Sequence, residues 1–225
     1  MTELEQAWLV CGDLFCQAVA RQAAALQSDF YSELLFCLLG GFGVTYEHGR
    51  SAANVVGPLN PFSDYWDENV LLQTLSATLS LGQFLPRRRD GSLRRYRFPR
   101  RKARLIVDAR KWLQKHRSLT VRLQEIPDSH TRRELLCECP GIGMKTASWL
   151  LRNLGWADDV AIIDIHLLRA LLKSGRINSD VQLPEDYENA ERAFLSWCKE
   201  LDAPPPAFDL FVWEWQRGTL QESAG

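Results

Sequence analysis

Cys139-Pro140-Gly141-Ile142-Gly143-Met144-Lys145-Thr146-Ala147 is the stretch on which the fold turns. Two glycines flank one aliphatic residue, so the backbone can reverse direction within about four residues. A helix is expected to start near Met144 or Lys145, and its first N–H groups have no partner inside the helix. With the uncovered glycine N–H groups and the helix dipole, they form a site suited to a phosphate. Ile142 reads as the apolar plug that holds the hairpin down. Upstream, Thr131-Arg132-Arg133-Glu134 has the spacing of a capping box and predicts a helix leading into the turn. A helix, a glycine hairpin and a second helix together predict DNA-backbone contact through Gly141, Ile142, Gly143 and Thr146. Hairpins of this type also occur in modules that only bind DNA, where the lysine is one more phosphate contact.

Asp164 follows nineteen residues after Lys145, in Val160-Ala161-Ile162-Ile163-Asp164-Ile165-His166. The apolar, β-branched run predicts a buried extended link, and Asp164 stands where an N-cap would open the helix Ile165–Leu172. A lysine attacks carbon only as the neutral amine, and its ordinary pKa of about 10.4 leaves little of that form at neutral pH. Partial burial and a helix N-terminus both disfavour the ammonium. The apolar Ala147, Leu150, Leu151 and Leu154 mark the inner face of the second hairpin helix and put Lys145 at its edge. An amine nucleophile and a carboxylate beside a phosphate site are the elements of covalent chemistry on DNA.

From Leu136 to Leu168 the chain resembles the helix-hairpin-helix DNA glycosylase superfamily, which includes endonuclease III and the 8-oxoguanine glycosylases. The hairpin matches the family's Pro-Gly-[Ile/Val]-Gly-x-Lys signature, and Ile163-Asp164-Ile165-His166 takes the place of its Val-Asp-x-His-like segment. The resemblance implies that Lys145 is the nucleophile and Asp164 the carboxylate assisting base departure. Because monofunctional members carry another residue at the lysine position, it also implies a bifunctional glycosylase and abasic-site lyase. The fold it implies is all-α, two helical subdomains with a helix-hairpin-helix motif flanking a DNA-binding cleft. Residues 1–64 and 176–225 would form the terminal subdomain on the base-pocket side, and 65–175 the subdomain with the basic segment and hairpin.

The C-terminal Phe208-Asp209-Leu210-Phe211-Val212-Trp213-Glu214-Trp215 puts Asp209 and Trp213 one helical turn apart on one face. An acid beside an indole can stack on a flipped base while accepting its N–H protons; an amphipathic terminal helix with Trp213 in the core reads equally well from spacing. The segment is similar to the terminal helix of the archaeal-type 8-oxoguanine glycosylases, as is Tyr96-Arg97-Phe98-Pro99 followed by Lys102-Ala103. That likeness makes Asp209 and Trp213 base-pocket candidates and oxidised purine, 8-oxoguanine, the expected lesion. In Gly41-Phe42-Gly43-Val44-Thr45-Tyr46, the aromatic Phe42 and Tyr46 replace the Gln or Asn that several family members place near the gap left by the extruded base. A wedge and a packed aromatic loop are both open there.

The formal net charge of −1 over 225 residues conceals a concentration of charge. Between Arg87 and Arg117 there are fourteen Lys/Arg and two acids, a net of +12, leaving −13 for the remainder. A solvated loop and a charged helix face would account for some of this. Polyanion contact accounts for the concentration, with Arg97, Arg101 and Lys102 as candidates. The expected partner is double-stranded DNA carrying a damaged base.

The six cysteines, at 11, 16, 37, 137, 139 and 198, lack the close four-cysteine spacing of an iron–sulfur cluster. Nor do they join the four scattered histidines in a recognisable zinc site. No metal or cofactor is expected, although the resemblance makes a monovalent cation at the hairpin plausible. No signal peptide or bilayer-spanning apolar run is seen, so the expectation is an intracellular, DNA-associated monomer with no membrane contact.

Helical patterns run over Glu3–Leu26, Phe30–Leu39, Leu71–Leu81, Pro99–Lys115, the hairpin pair, Asp164–Lys173, a helix from Pro184 to about Leu201, and Ala207–Arg217. Three functions stay in view: an 8-oxoguanine glycosylase/lyase, a glycosylase for an oxidised pyrimidine or alkylated purine, and a non-enzymatic helix-hairpin-helix protein.

Overall fold

The computed structural model describes residues 1–25, 29–41, 43–63, 67–77, 90–92 and 96–218. Among them are eleven α-helices and no strand: α1 (Glu3–Ala25), α2 (Phe30–Leu39), α3 (Tyr46–Val56), α4 (Glu68–Ala77), α5 (Pro99–Lys115), α6 (Leu119–Glu125), α7 (Ser129–Cys137), α8 (Met144–Asn153), α9 (Ile165–Lys173), α10 (Tyr187–Glu200) and α11 (Pro205–Gln216). The expected all-α class holds. Phe42, Arg87-Arg88-Arg89 and the end of the helix expected to reach Leu81 lie outside the described residues.

By compactness the chain forms two units. One comprises Met1–Gln27, Asp128–Arg133 and Ala147–Gly225; the other comprises Ser28–Pro127 and Glu134–Thr146. The first is an aromatic core between α1, α10 and α11. Trp8 meets Phe208 edge-on at 5.1 Å, Trp197 meets Phe208 at 5.0 Å, and Phe194 stacks on Phe208 at 5.6 Å. The carboxylate of Glu5 lies within this unit because it accepts the Trp197 indole N–H at 2.8 Å and pairs with Arg176 at 3.1 Å. A buried acid needs such partners to remain charged.

The second unit is organised around α2, whose apolar sequence buries eight of its ten residues. Asp29 caps its start through the Ser32 N–H. Its last carbonyls are met by side chains from the basic segment. The Tyr96 hydroxyl donates to Leu39 O at 2.6 Å, and the Lys102 ammonium donates to Leu38 O and Gly40 O at 2.6 and 2.5 Å. Lys102 is therefore buried and faces inward, its ammonium donating to two carbonyls at the end of α2, whereas the phosphate contact expected of it calls for an outward-facing side chain. Burial pushes its ammonium pKa down to about 8. The rest of α5 divides as its pattern predicts, with Ala103, Ile106, Val107, Ala109 and Leu113 buried and Arg101 and Arg104 exposed.

Two local expectations are corrected. The cap of α7 is Asp128, whose carboxylate accepts the Thr131 N–H at 2.6 Å, so the helix starts ahead of the Thr131 capping box. Pro184 sits in the turn before α10, whereas Pro205 and Pro206 occupy the first turn of α11. No helix among the described residues is long and apolar enough to cross a membrane.

Candidate active site

The hairpin forms where the glycines require it. Cys139 N–H donates to Leu136 O and Ile142 N–H to Cys139 O, both at 3.0 Å, closing two successive turns. Gly141 has φ +88°, a conformation other residues enter only at a cost. Ile142 is buried while Gly141 and Gly143 are exposed, so the side chain anchors the turn and the backbone faces outward. Lys145 and Thr146 are half-buried in the first turn of α8.

Asp164 is the N-cap of α9. Its Oδ1 accepts the N–H groups of His166 at 2.8 Å and Leu167 at 3.0 Å. Its Oδ2 takes none of the hydrogen bonds found among the described residues, so one oxygen of the carboxylate caps the helix and the other takes no part in the cap.

The link leading to Asp164 is neither helix nor strand, and Val160, Ala161, Ile162 and Ile163 are all buried. Buried backbone N–H groups need partners, and here side chains supply them. Ala161 N–H donates to Glu191 at 2.9 Å, Ile162 N–H to Asp209 at 3.2 Å, and Ile163 N–H to the Tyr187 hydroxyl at 3.2 Å. Tyr187 returns its own proton to Ala161 O at 2.6 Å. Glu191 is held in turn by the buried Arg133 at 2.6 Å, and Arg133 also donates to Ser148 of α8.

Asp209 is buried on α11 and uses one oxygen for structure: Oδ2 takes the Ile162 N–H and pairs with Arg152 of α8 at 2.5 Å. Burial pushes its carboxyl above the usual range, Arg152 and the Ile162 N–H oppose that, and nearby Asp164 adds to the rise. Its Oδ1 makes none of the hydrogen bonds found among the described residues. Trp213, one turn on, is half-buried, with Arg217 over its ring at 4.2 Å and His166 edge-on at 6.5 Å. The indole therefore lies at a polar edge and not in the aromatic core.

In the other unit, Tyr46 opens α3 and is 42% exposed, its ring edge-on to Phe36 at 5.3 Å. Arg97 is exposed and donates to Gly43 O at 3.1 Å, pinning the loop before α3. Arg101 is exposed on the first turn of α5. Sequence reasoning missed Arg133, Ser148, Arg152, Tyr187 and Glu191. The available signal was modest: Ser148 and Arg152 recur three and seven residues after Lys145, on the same face of α8.

A glycine hairpin between two helices, a lysine in the first turn of the second, and an N-capping aspartate at the end of a buried link define the class: a helix-hairpin-helix glycosylase fold. The family model described as 8-oxoguanine DNA glycosylase matches residues 86–203, and the chain belongs to that family.

By sequence the chain is 40% identical, over 128 residues, to an 8-oxoguanine DNA glycosylase/AP lyase of Metallosphaera sedula, covering 56% of this chain and 60% of that protein. It spans about 60% of the length of that relative and 53% of the length of an 8-oxoguanine DNA glycosylase/AP lyase of Aquifex aeolicus, to which it is 35% identical over 124 residues, 52% of this chain. By structure it is similar to the 8-oxoguanine DNA glycosylase of Thermotoga maritima, with a TM-score of 0.69 and 26% identity over 95% of this chain and 93% of that one. It is likewise similar to the Methanocaldococcus jannaschii 8-oxoguanine glycosylase/lyase in complex with a 15mer DNA containing 8-oxoguanine. There the TM-score is 0.70 and the identity 25%, over 92% of this chain and 90% of that one.

Proposed function

We propose that this protein excises 8-oxoguanine from duplex DNA and then cleaves the strand at the resulting abasic site, acting as a monomer in base excision repair. The observation carrying this reading is the divided carboxylate of Asp164. One oxygen caps α9 and the other is uncommitted, in a chain whose glycine hairpin is followed by a lysine in the first turn of the next helix. A cap alone needs one oxygen.

The Lys145 Nζ lone pair attacks C1′, the bond from C1′ to the base breaks, and its electron pair leaves with the base, which takes up a proton. Asp164 stabilises the positive charge that develops on the sugar and helps to hold the amine in its attacking form. Opening of the sugar ring gives the imine. Loss of a C2′ proton then expels the 3′ phosphate by β-elimination. The target base must leave the stack first, and Asp209 Oδ1, Trp213, Tyr46 and Phe42 are the proposed groups around it.

Exposed backbone at Gly141 and Gly143, with Thr146, Arg97 and Arg101, would meet phosphates. A monovalent cation at the hairpin belongs to the same proposal.

The test is borohydride trapping on a duplex with one 8-oxoguanine. A covalent band that disappears in Lys145→Ala is the expected result. A band only on a pre-formed abasic site would reject the lesion and keep the lyase, and duplexes with oxidised pyrimidine or alkylated purine would then be tried. No band on either substrate would return Lys145 to a phosphate contact in a non-enzymatic module.

A further inference from the structure

We infer that Tyr187 is a positioning residue for Asp164, an inference that rests on the reading of Asp164 as the assisting carboxylate. The link before Asp164 has no regular structure to hold it. Helix α9 holds Asp164 from one side only, through the two N–H groups that bind Oδ1. On the other side, the direction in which the uncommitted Oδ2 points depends on the backbone of Ala161, Ile162 and Ile163.

One phenol fixes both ends of that segment. The Tyr187 hydroxyl accepts from Ile163 N–H, the peptide immediately before Asp164, and donates to Ala161 O two residues earlier. A hydroxyl can do both because it is donor and acceptor at once. Tyr187 is 3% exposed, and burial raises its phenol pKa to a point where the proton stays on oxygen throughout the neutral range. Glu191 lies one turn along the same face of α10 and takes the Ala161 N–H, so α10 grips the link at three backbone atoms. Neither residue touches the reacting atoms in this scheme. They set the angle of the carboxylate that does.

The experiment uses the full chain and Tyr187→Phe, which keeps the ring and removes both hydroxyl contacts to the link, together with a longer one to Ser148 Oγ at 3.4 Å. Three quantities are measured: single-turnover excision of 8-oxoguanine, affinity for a duplex with a non-cleavable abasic-site analogue, and amide exchange at Ile163. Misplacing a catalytic group by an ångström costs up to about 100-fold, and a loss of roughly 10- to 100-fold in excision is expected with analogue affinity kept within about twofold. Exchange protection should fall at residues 161–165 and hold elsewhere.

In an Asp164→Asn background the same change should add less than about twofold, because the group being positioned is already gone. An unchanged excision rate, an equal loss in DNA affinity, a global loss of protection, or the full loss repeated in Asp164→Asn would each overturn the inference. If Asp164→Asn alone excises at the rate of the parent protein, the underlying reading of Asp164 fails instead.

Discussion

Arg152 Nη1 lies 2.5 Å from Oδ2 of Asp209, a carboxylate only 6% exposed, and this pair ties α8 to the terminal helix. The contact explains how a buried acid persists beside a second acid, Asp164, that pushes its carboxyl further up. Without Arg152, Asp209 would keep the desolvation cost of burial and lose its main compensation.

Arg152→Met should therefore destabilise the protein in a pH-dependent way, by about 3 kcal/mol at pH 7. Asp209 has a folded-state pKa above its unfolded value, so the folded chain holds the extra proton between the two and loses stability as pH rises through that window. Removing the guanidinium widens the window. The gap between variant and parent should be small near pH 4 and grow toward pH 7, read by urea unfolding at each pH. A constant gap would mean that Arg152 contributes packing and not charge.

Asp209 has two oxygens with different occupations, which separates base reading from structure. Asp209→Asn keeps an acceptor for Ile162 N–H but changes what the other side of the group can accept. It should slow 8-oxoguanine excision about 10-fold more than it slows cleavage of a pre-formed abasic site, since the second substrate has no base to hold. Equal losses on the two substrates would assign Asp209 to the framework alone.

Arg101 and Lys102 are sequence neighbours with opposite orientations. Arg101→Gln should weaken DNA binding and reduce the slope of log affinity against log salt by about 1, as expected for one lost phosphate contact. Lys102→Met should leave that slope unchanged and cost about 2 kcal/mol of stability, because the carbonyls of Leu38 and Gly40 at the end of α2 lose a charged donor. Affinity titrations at several salt concentrations, beside thermal melts, distinguish the two. A slope change in Lys102→Met would show that its ammonium reaches DNA despite its burial.

The same pair shows where sequence reading stops. The hairpin, the start of α8 and the Asp164 cap were legible because each is local chemistry: a glycine pattern, a helix end, an acid after an apolar run. Asp209 and Trp213 could be put on one helix face for the same reason. Lys102 inside a basic run could not be told from its neighbours, since its acceptors at Leu38 and Gly40 lie more than sixty residues earlier. The grip of Tyr187 and Glu191 on the Asp164 link joins side chains 24 and 30 residues from their backbone partners, and no spacing rule reports that. Helices α3 and α6 were missed for a different reason. Helix α6 has only seven residues, and α3 buries small or polar groups, His48, Gly49, Ala52 and Ala53, with Val56 as the one large aliphatic, so neither stands out by its apolar content.

The two hairpin glycines should fail for different reasons when substituted. At Gly141 the φ of +88° is unfavourable for any side chain, and an added Cβ would lie 3.0 Å from Leu105 Cδ2 and 3.2 Å from Leu38 Cδ2. Left-handed backbone costs roughly 1–2 kcal/mol for an L-residue, so Gly141→Ala should lower the melting temperature by several degrees. Gly143 has no such φ, and nothing lies within 4 Å of its Cβ position. Gly143→Ala should leave stability unchanged or slightly raised, by the loss of unfolded-chain entropy. If a phosphate approaches the backbone there, the new methyl group occupies its path, and DNA affinity should fall about 10-fold or more in a protein that melts normally. Paired melts and DNA titrations decide it. Unchanged affinity in Gly143→Ala would move the phosphate contact off this turn and onto the first residues of α8.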